Sequence, residues 1–537
     1  MSIPVNLFTW LIAAAPVIII LILLLRFQWG IAEAGAISLC IVLISSIFVY
    51  KADWILLSCE SAKGIWSAFF VLMIVWPAIL IYEVIEQADA FTVIQKGMEI
   101  YTPNELLRVL AFGWVFAGFF QGITGFGVPV AVCAPLLVGM GVIPIWGVIV
   151  PLLGHAWANT FGTLAVAWDT LVELTGIEGN ILLSAAFWAA AFLWFFNFFS
   201  GVVLCWFYGG MKGIRKGLLA VTLISLIQGG GQLLLSQINQ TVAAFIPTTL
   251  ALAAIFAIGR IPYYREPWRL ENSKIMNRNS SSETDRKSEK SPLQLKEAFV
   301  PYYTLALITV IVLLIAPVKS FLGKFRLGFD FPQTETGYGI INDPVSMYSS
   351  FTPFIHSGTL LFAAGMIAYF YFRHKKRIFA GDGKSIAKRT VEKTIPATVA
   401  VTELIIMSKL MAGTGQTIVL AAGTSNVVGK LYVVLAPFVG VLGSFITSSN
   451  MASNILFAQF QQLTANYLDL SDAALLGAQT AGGAIGNTVA PGNIILGTTT
   501  AGILGYEGII LKKIIPVALC AALFCGIILL LKLIVFS

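Results

Sequence analysis

Six apolar runs, Phe8–Leu25, Ala34–Tyr50, Ser67–Tyr82, Leu182–Tyr208, Phe299–Pro317 and Ile514–Phe536, constrain this chain more than any other feature. Each is near the roughly 20 residues that cross a bilayer as a helix. Lipid offers the backbone no hydrogen-bond partners, so such runs must satisfy their own N–H and C=O groups. Composition bears on the same point: the chain is 58% hydrophobic and 11% charged, against about 25% charged in soluble domains. The expected fold class is an all-α polytopic membrane protein of about 12–14 spans. The first run belongs to this series, and it lacks the basic n-region and small-residue cleavage site of a signal peptide.

The formal net charge of +7 is not read as a nucleic-acid signal, because the basic residues cluster in short loops. Lys212–Lys216, Arg260–Lys296 and Arg373–Lys393 are placed on the cytoplasmic side by the positive-inside rule. Two apolar segments, Leu218–Ile238 and Thr241–Ile258, separate the first pair. Phe299–Pro317 and His356–Phe372, flanking an irregular stretch Val318–Ile355, separate the second. An even number of crossings each time is what ends on one side require. Glu271–Glu297 is Ser-, Asn- and charge-rich and reads as a disordered linker. The organisation expected is a transmembrane half 1–259, a cytoplasmic linker 260–298 and a second transmembrane half 299–537. The six cysteines lie in or beside apolar runs without metal-ligand spacing, so neither a disulfide framework nor a metal site is expected.

Each half carries two interrupted apolar segments in matching order. QGITGFGVPVAVCAP (121–135) precedes GHAWANTFGT (154–163) in the first, and GSFITSSNMASN (443–454) precedes AGGAIGNTVAPGN (481–493) in the second. Gly and Pro also serve close helix packing in membranes. Paired interruptions at corresponding places point instead to a transporter's binding site, where freed amides and carbonyls line a cavity.

These same residues carry a resemblance. GFGVPVAVCAPLLVGMG (125–141) with HAWANTFGT, and LGSFITSSNMASNILFAQFQ (442–461) with AGGAIGNTVAPGNIILGTTTAGILGYEG (481–508), resemble the lactate permease family, which includes glycolate permeases. The loop GGMKGIRKG (209–217) is similar as well. The resemblance implies a multi-pass carrier in the bacterial cytoplasmic membrane for lactate or a similar 2-hydroxymonocarboxylate, coupled to protons. It also implies two inverted repeats, each with a re-entrant hairpin and a broken helix. Three positions depart from the family pattern: Gln121 stands where an acidic residue is usual, Gly486-Asn487 where the family has a Gly-Lys pair, and Gly154-His155 near an Asn-Thr pair.

A carboxylate substrate needs donors at half-helix N-termini and from hydroxyl and amide side chains. Thr447, Ser448, Ser449, Asn450, Ser453 and Asn454 form a dense donor set on one hairpin. Gln121, Thr124, Gly125 and Gly127 face them from the other, with Asn159, Thr160, Asn487 and Thr488 at the breaks. Hydroxyls in membrane helices also bond their own carbonyls, which is the competing reading for Ser448 and Thr488. Lys409, in ELIIMSKLMAGTGQ (403–416), is assigned either to replace the cation absent at Asn487 or to reach the outer interface or a carbonyl cluster. His155 and Glu83 are the candidates for proton coupling, His155 because its ordinary pKa lies near neutrality and Glu83 because intramembrane carboxylates are costly.

The partners expected are a small carboxylate, H⁺ or Na⁺, and the lipid bilayer, with no nucleic acid and no cofactor; a homo-oligomer is compatible with the sequence. A carrier for another organic anion is the alternative within the class. A membrane-embedded enzyme is the alternative outside it, and the chain has no nucleophile elbow or HExxH pair.

Overall fold

The apolar runs fold as helices, the form that pairs every backbone group within its own segment. The computed structural model describes residues 3–27, 29–99, 102–125, 127–278, 293–503 and 505–536. Among these, seven helices are long and apolar enough to cross a membrane, or eight if the bent pair Val300–Leu313 and Ala316–Leu322 counts as one span. Four shorter apolar helices accompany them. Leu7–Arg26 and Ile31–Phe48 are apolar helices of 20 and 18 residues beyond the seven, and the count is lower than 12–14 in part because interrupted segments form half-helices and some long helices contain two runs. Gly179–Ser236 contains two, and it breaks at Gly209 and Gly210, where Gly210 adopts φ 55°. That break falls in the basic GGMKGIRKG loop.

The centre of the packing is a pair of long helices, Trp54–Gln87 and Asp382–Gly413. They cross closely at Gly64, where an added Cβ would stand 2.7 Å from the Ile406 Cα. Helix Ser357–His374 packs against the first of the pair in the same way, and a Cβ on Gly358 would meet the Met73 carbonyl oxygen at 1.7 Å. Small residues at such crossings let membrane helices gain the van der Waals contact that drives their association.

Glu83 closes this pair at the basic face. Its carboxylate, 1% exposed, accepts from Arg389 Nε at 2.6 Å and from the Lys393 ammonium. Two half-exposed cations thus hold it, and it lies outside the cavity described below. Glu83→Gln leaves those cations free to rehydrate, so its cost is set at about 1–2 kcal/mol, below that of breaking a fully buried pair. We expect it to lower the detergent melting temperature by a few degrees and to leave uptake intact; lost uptake with unchanged melting would return Glu83 to the coupling machinery.

The stretch 318–355 is ordered. Strand Leu327–Phe331 pairs antiparallel with Val345–Phe351 on the face opposite the basic segments, and Trp66 of the first long helix donates to the Tyr348 and Ser349 carbonyls at 3.1 Å. The start of the expected linker is ordered as well. Ile275 and Met276, two apolar residues in a polar stretch, are buried, and residues 266–278 form a strap along the basic face. The expectation of a disordered segment Glu271–Glu297 is therefore corrected for 271–278 and for 293–297, where the helix Leu295–Ala298 begins, while 279–292 lies outside the described residues. All six cysteines are free.

Candidate functional site

The first hairpin reverses between helices Ala117–Ile123 and Val128–Gly139, with Gly125 at φ 59° and Gly127 at φ 79°. Only glycine enters this left-handed region without a steric penalty, which is why the tip reads GFG. Both legs return to one face. Asn104 bridges to Trp268 and Val142 to Met276 of the strap, and the Ile143 amide donates to Ile275 O at 2.8 Å. The second hairpin reverses between Tyr432–Thr447 and Asn450–Tyr467 at Ser448, a non-glycine residue at φ 57°. The Ser448 hydroxyl accepts from the Gly492 amide at 2.9 Å, which helps offset the strain of that backbone.

Each broken helix completes the arrangement. Pro144–His155 gives way to a 3-10 turn and to left-handed Thr163, Leu164 and Ala165 before the helix resumes to Thr175. Asp472–Gly486 gives way to a 3-10 turn at Asn487–Val489 and then Pro491–Thr500. The second hairpin's legs are tied by Tyr432 donating to Gln461 Oε1 at 2.8 Å, and Gln462 donates to Thr175 O at 3.1 Å. Since the first broken helix starts on the strap at Ile143 and ends at Thr175, the two hairpins reach the middle from opposite faces.

Where these four elements meet lies a cavity of about 280 Å³. It is smaller than the roughly 300–1,000 Å³ of sites for drug-sized ligands. Gln121, Gly127, His155 and Asn159 line one side, and Ser448, Ser449, Asn450 and Asn487 the other. Among the described residues, no Asp, Glu, Lys or Arg contributes to its lining, and His155 is its one titratable group. Three helix N-termini open into it, at Gly127, at Ser449 and at Gly492–Asn493. Each carries partial positive charge from the aligned peptide dipoles of its helix.

The polar groups are held with lone donors and acceptors left over. Asn450 Nδ2 donates to Thr160 Oγ1 at 3.1 Å while its Oδ1 is buried without a partner; Asn159 Nδ2 is likewise unpaired. Thr160 in turn bonds the Thr480 hydroxyl and carbonyl at 3.1 Å, so it positions Asn450 from behind the lining. His155 Nδ1 lies 2.6 Å from the Pro151 carbonyl, which can only accept, so Nδ1 carries a proton and Nε2 is the free ring nitrogen. Asn493 donates to Asn487 Oδ1.

Several sequence candidates stand elsewhere. Thr124, Thr447 and Thr488 bond carbonyls of their own helices at 3.1, 2.8 and 2.8 Å. Ser453 donates to Gly440 O at 2.9 Å, and Asn454 to Ala167 O at 2.9 Å. Gly125 faces Thr163. Lys409 is absent from the lining, and its ammonium sits 5.4 Å from the Tyr348 ring centre. The lining also holds Thr163, Asn493 and Leu496, which sequence reasoning did not single out. Thr163 and Asn493 end two of the four interrupted segments, and their position just past the breaks was the available signal.

Apolar helices interrupted around a polar cavity, with helix N-termini turned inward, define the class: a membrane permease of the broken-helix type. Comparison with known proteins makes the class specific. The L-lactate permease family profile matches residues 9–536. The L-lactate permease of Halalkalibacterium halodurans is 24% identical, over 93% of this chain and 92% of its own. The glycolate permease GlcA of Escherichia coli is 25% identical, over 98% and 96%. Among solved structures, the YdaH transporter of Alcanivorax borkumensis aligns over 87% of this chain and 86% of its own, with a TM-score of 0.44 and 15% identity. The chain belongs to the L-lactate permease family. It is a multi-pass protein of the bacterial inner membrane.

Proposed function

We propose that this permease moves L-lactate or a similar small 2-hydroxymonocarboxylate by proton symport, with the carboxylate held in the cavity between the hairpin tips. One observation carries the reading: the cavity gathers three helix N-termini and unpaired side-chain amide atoms without a single acidic side chain among the described residues of its lining. Such a site favours a compact anion and compensates its charge without a fixed cation. The relatives named as lactate and glycolate permeases support the 2-hydroxy acid as the substrate class. His155 at the cavity wall supports a proton as the coupled ion, since protonation at Nε2 would place a positive imidazolium beside a bound carboxylate. The opposed approach of the two hairpins supports an inverted relation between the halves.

The test is reconstitution in liposomes with labelled L-lactate, imposing pH and Na⁺ gradients separately. Unchanged lactate should accumulate on counterflow, and an inwardly directed proton gradient alone should drive it uphill. Drive by Na⁺ alone would replace the coupling ion, and failure of counterflow across a panel of small 2-hydroxy acids would overturn the substrate class. His155→Gln is expected to retain lactate exchange while losing at least about tenfold of the pH-driven accumulation, the scale of one lost charge-assisted hydrogen bond.

A further inference from the structure

Lys409 is 93% buried, and among the described residues it has neither an ion pair nor a hydrogen bond. A lysine in this position in a membrane protein calls for compensation. Its surroundings are specific. Lys63, also buried, stands 5.9 Å from the centre of the same Tyr348 ring and 5.6 Å from Phe331. The two rings meet edge to face at 5.4 Å across the paired strands. The neighbouring carboxylates are already engaged. Glu60 pairs with Lys63 at 2.7 Å, and Glu173 accepts from the Ser67 and Ser349 hydroxyls. Among the described residues, the Lys409 ammonium has the face of Tyr348 alone.

This cluster is on the outward side of the cavity. Ser408 donates to Gln459 Oε1 at 3.3 Å, and Gln459 donates to Leu174 O at 2.8 Å. Gln459 is on the helix whose N-terminal Asn450 lines the cavity, nine residues or roughly 13 Å along it. Glu173 is on the helix whose Ala167 lines the cavity, six residues or roughly 9 Å along it. Two helices thus run from the cavity to the surroundings of Lys409, on the face that carries the strands.

We propose that Lys409, under the Tyr348 ring, is an outer anion site that takes the carboxylate of a small monocarboxylate before it reaches the central cavity. A carboxylate makes a charge-assisted hydrogen bond to an ammonium, a stronger contact than a cation over a ring face. The ring therefore holds Lys409 when no anion is present and yields it when one arrives. Lys63 cannot serve equally, because Glu60 already occupies it. The inference rests on the transport reading above and adds a station to it.

The experiment compares labelled L-lactate transport in vesicles of both orientations, for the wild type, Lys409→Gln and Lys409→Arg. Lys409→Gln is expected to raise the half-saturation constant at the outer face about tenfold and to leave that at the inner face within twofold. Lys409→Arg, which keeps the charge, should restore the outer value to within about threefold. Lys409→Met, which keeps the apolar stem, takes the place of Lys409→Gln if that variant does not fold. Equal changes at both faces, or none at either, overturn the outer site. A wild-type protein that moves no lactate from either face overturns the transport reading and this site with it.

Discussion

Replacing Asn450 by leucine is expected to abolish substrate uptake in a protein that still folds and reaches the membrane. Asn450 opens the return helix of the second hairpin, is 3% exposed and contributes to the cavity wall. Its amide bridges the halves of the chain by donating to Thr160, and its carbonyl oxygen is buried and unpartnered. A group held this firmly with an unused atom is arranged to meet something else. Leucine removes both polar atoms while keeping the same branching of side-chain heavy atoms, whereas Thr160 keeps its own bonds to Thr480. An amide oxygen only accepts, so the group it can meet is the 2-hydroxyl of the substrate, and leaving that hydroxyl buried without a partner costs about 1–3 kcal/mol, which weakens apparent affinity roughly 5- to 160-fold. Uptake in whole cells, with melting temperature in detergent as the folding control, measures this. Uptake within twofold of wild type would place Asn450 outside the site.

Gly154→Ala is expected to destabilise the protein strongly. Its added Cβ would lie 1.9 Å from the Gly113 carbonyl oxygen and 2.7 Å from the Trp114 Cα. Both are backbone atoms, so no rotamer change relieves the clash. Gly113 has no more room, since its own added Cβ would meet Val150 Cγ1 at 2.1 Å. The crossing occurs where the first hairpin's ascending helix widens into a π-turn at Ala111–Phe116, directly before His155 on the broken helix. Separating the helices there costs about 3 kcal/mol on the scale of overpacked cores and displaces the imidazole. Thermal unfolding should show a drop of several degrees, with reduced yield. Gly176→Ala is the control: its added Cβ has no neighbour within 4 Å, so its φ of 64° alone sets a cost near 1 kcal/mol. Equal melting temperatures for the two variants would refute the close crossing.

The four interrupted segments were legible in the sequence because glycine and proline inside apolar runs conflict with lipid unless the backbone is protected. That conflict can be read locally, and it leads to Gly127, His155, Asn159, Asn450 and Asn487 on the cavity wall. Local pattern does not say which way a hydroxyl turns. Thr124 and Thr488 sit at the right breaks and spend their hydrogens on Phe120 O and Ile485 O. Thr480 was not singled out because it lies inside a regular helix, and its role appears only when Thr160 and Asn450 arrive from other elements. The sequence let Lys409 reach the outer interface, but its neighbours come from strands that showed only as an irregular stretch. The strap went unread for a related reason. Composition averages over a window, and two apolar residues in a polar window, Ile275 and Met276, were enough to dock it.

The strap also imposes an order of events during synthesis. The hairpin leg ending at Val142 is fastened by Met276, and the leg beginning at Glu105 by Arg278, which grips its carboxylate at 2.7 and 2.9 Å. The ribosome must therefore add more than a hundred residues after the hairpin before its fastening exists. At roughly 5–20 residues per second, that is a wait on the order of ten seconds. During it the glycine-rich tip must be kept from lipid by neighbouring helices alone, chief among them the broken helix that follows at once in the chain. Placing Pro144–Thr175 immediately after the hairpin thus shields the nascent tip, and the strap closes over an arrangement already in place.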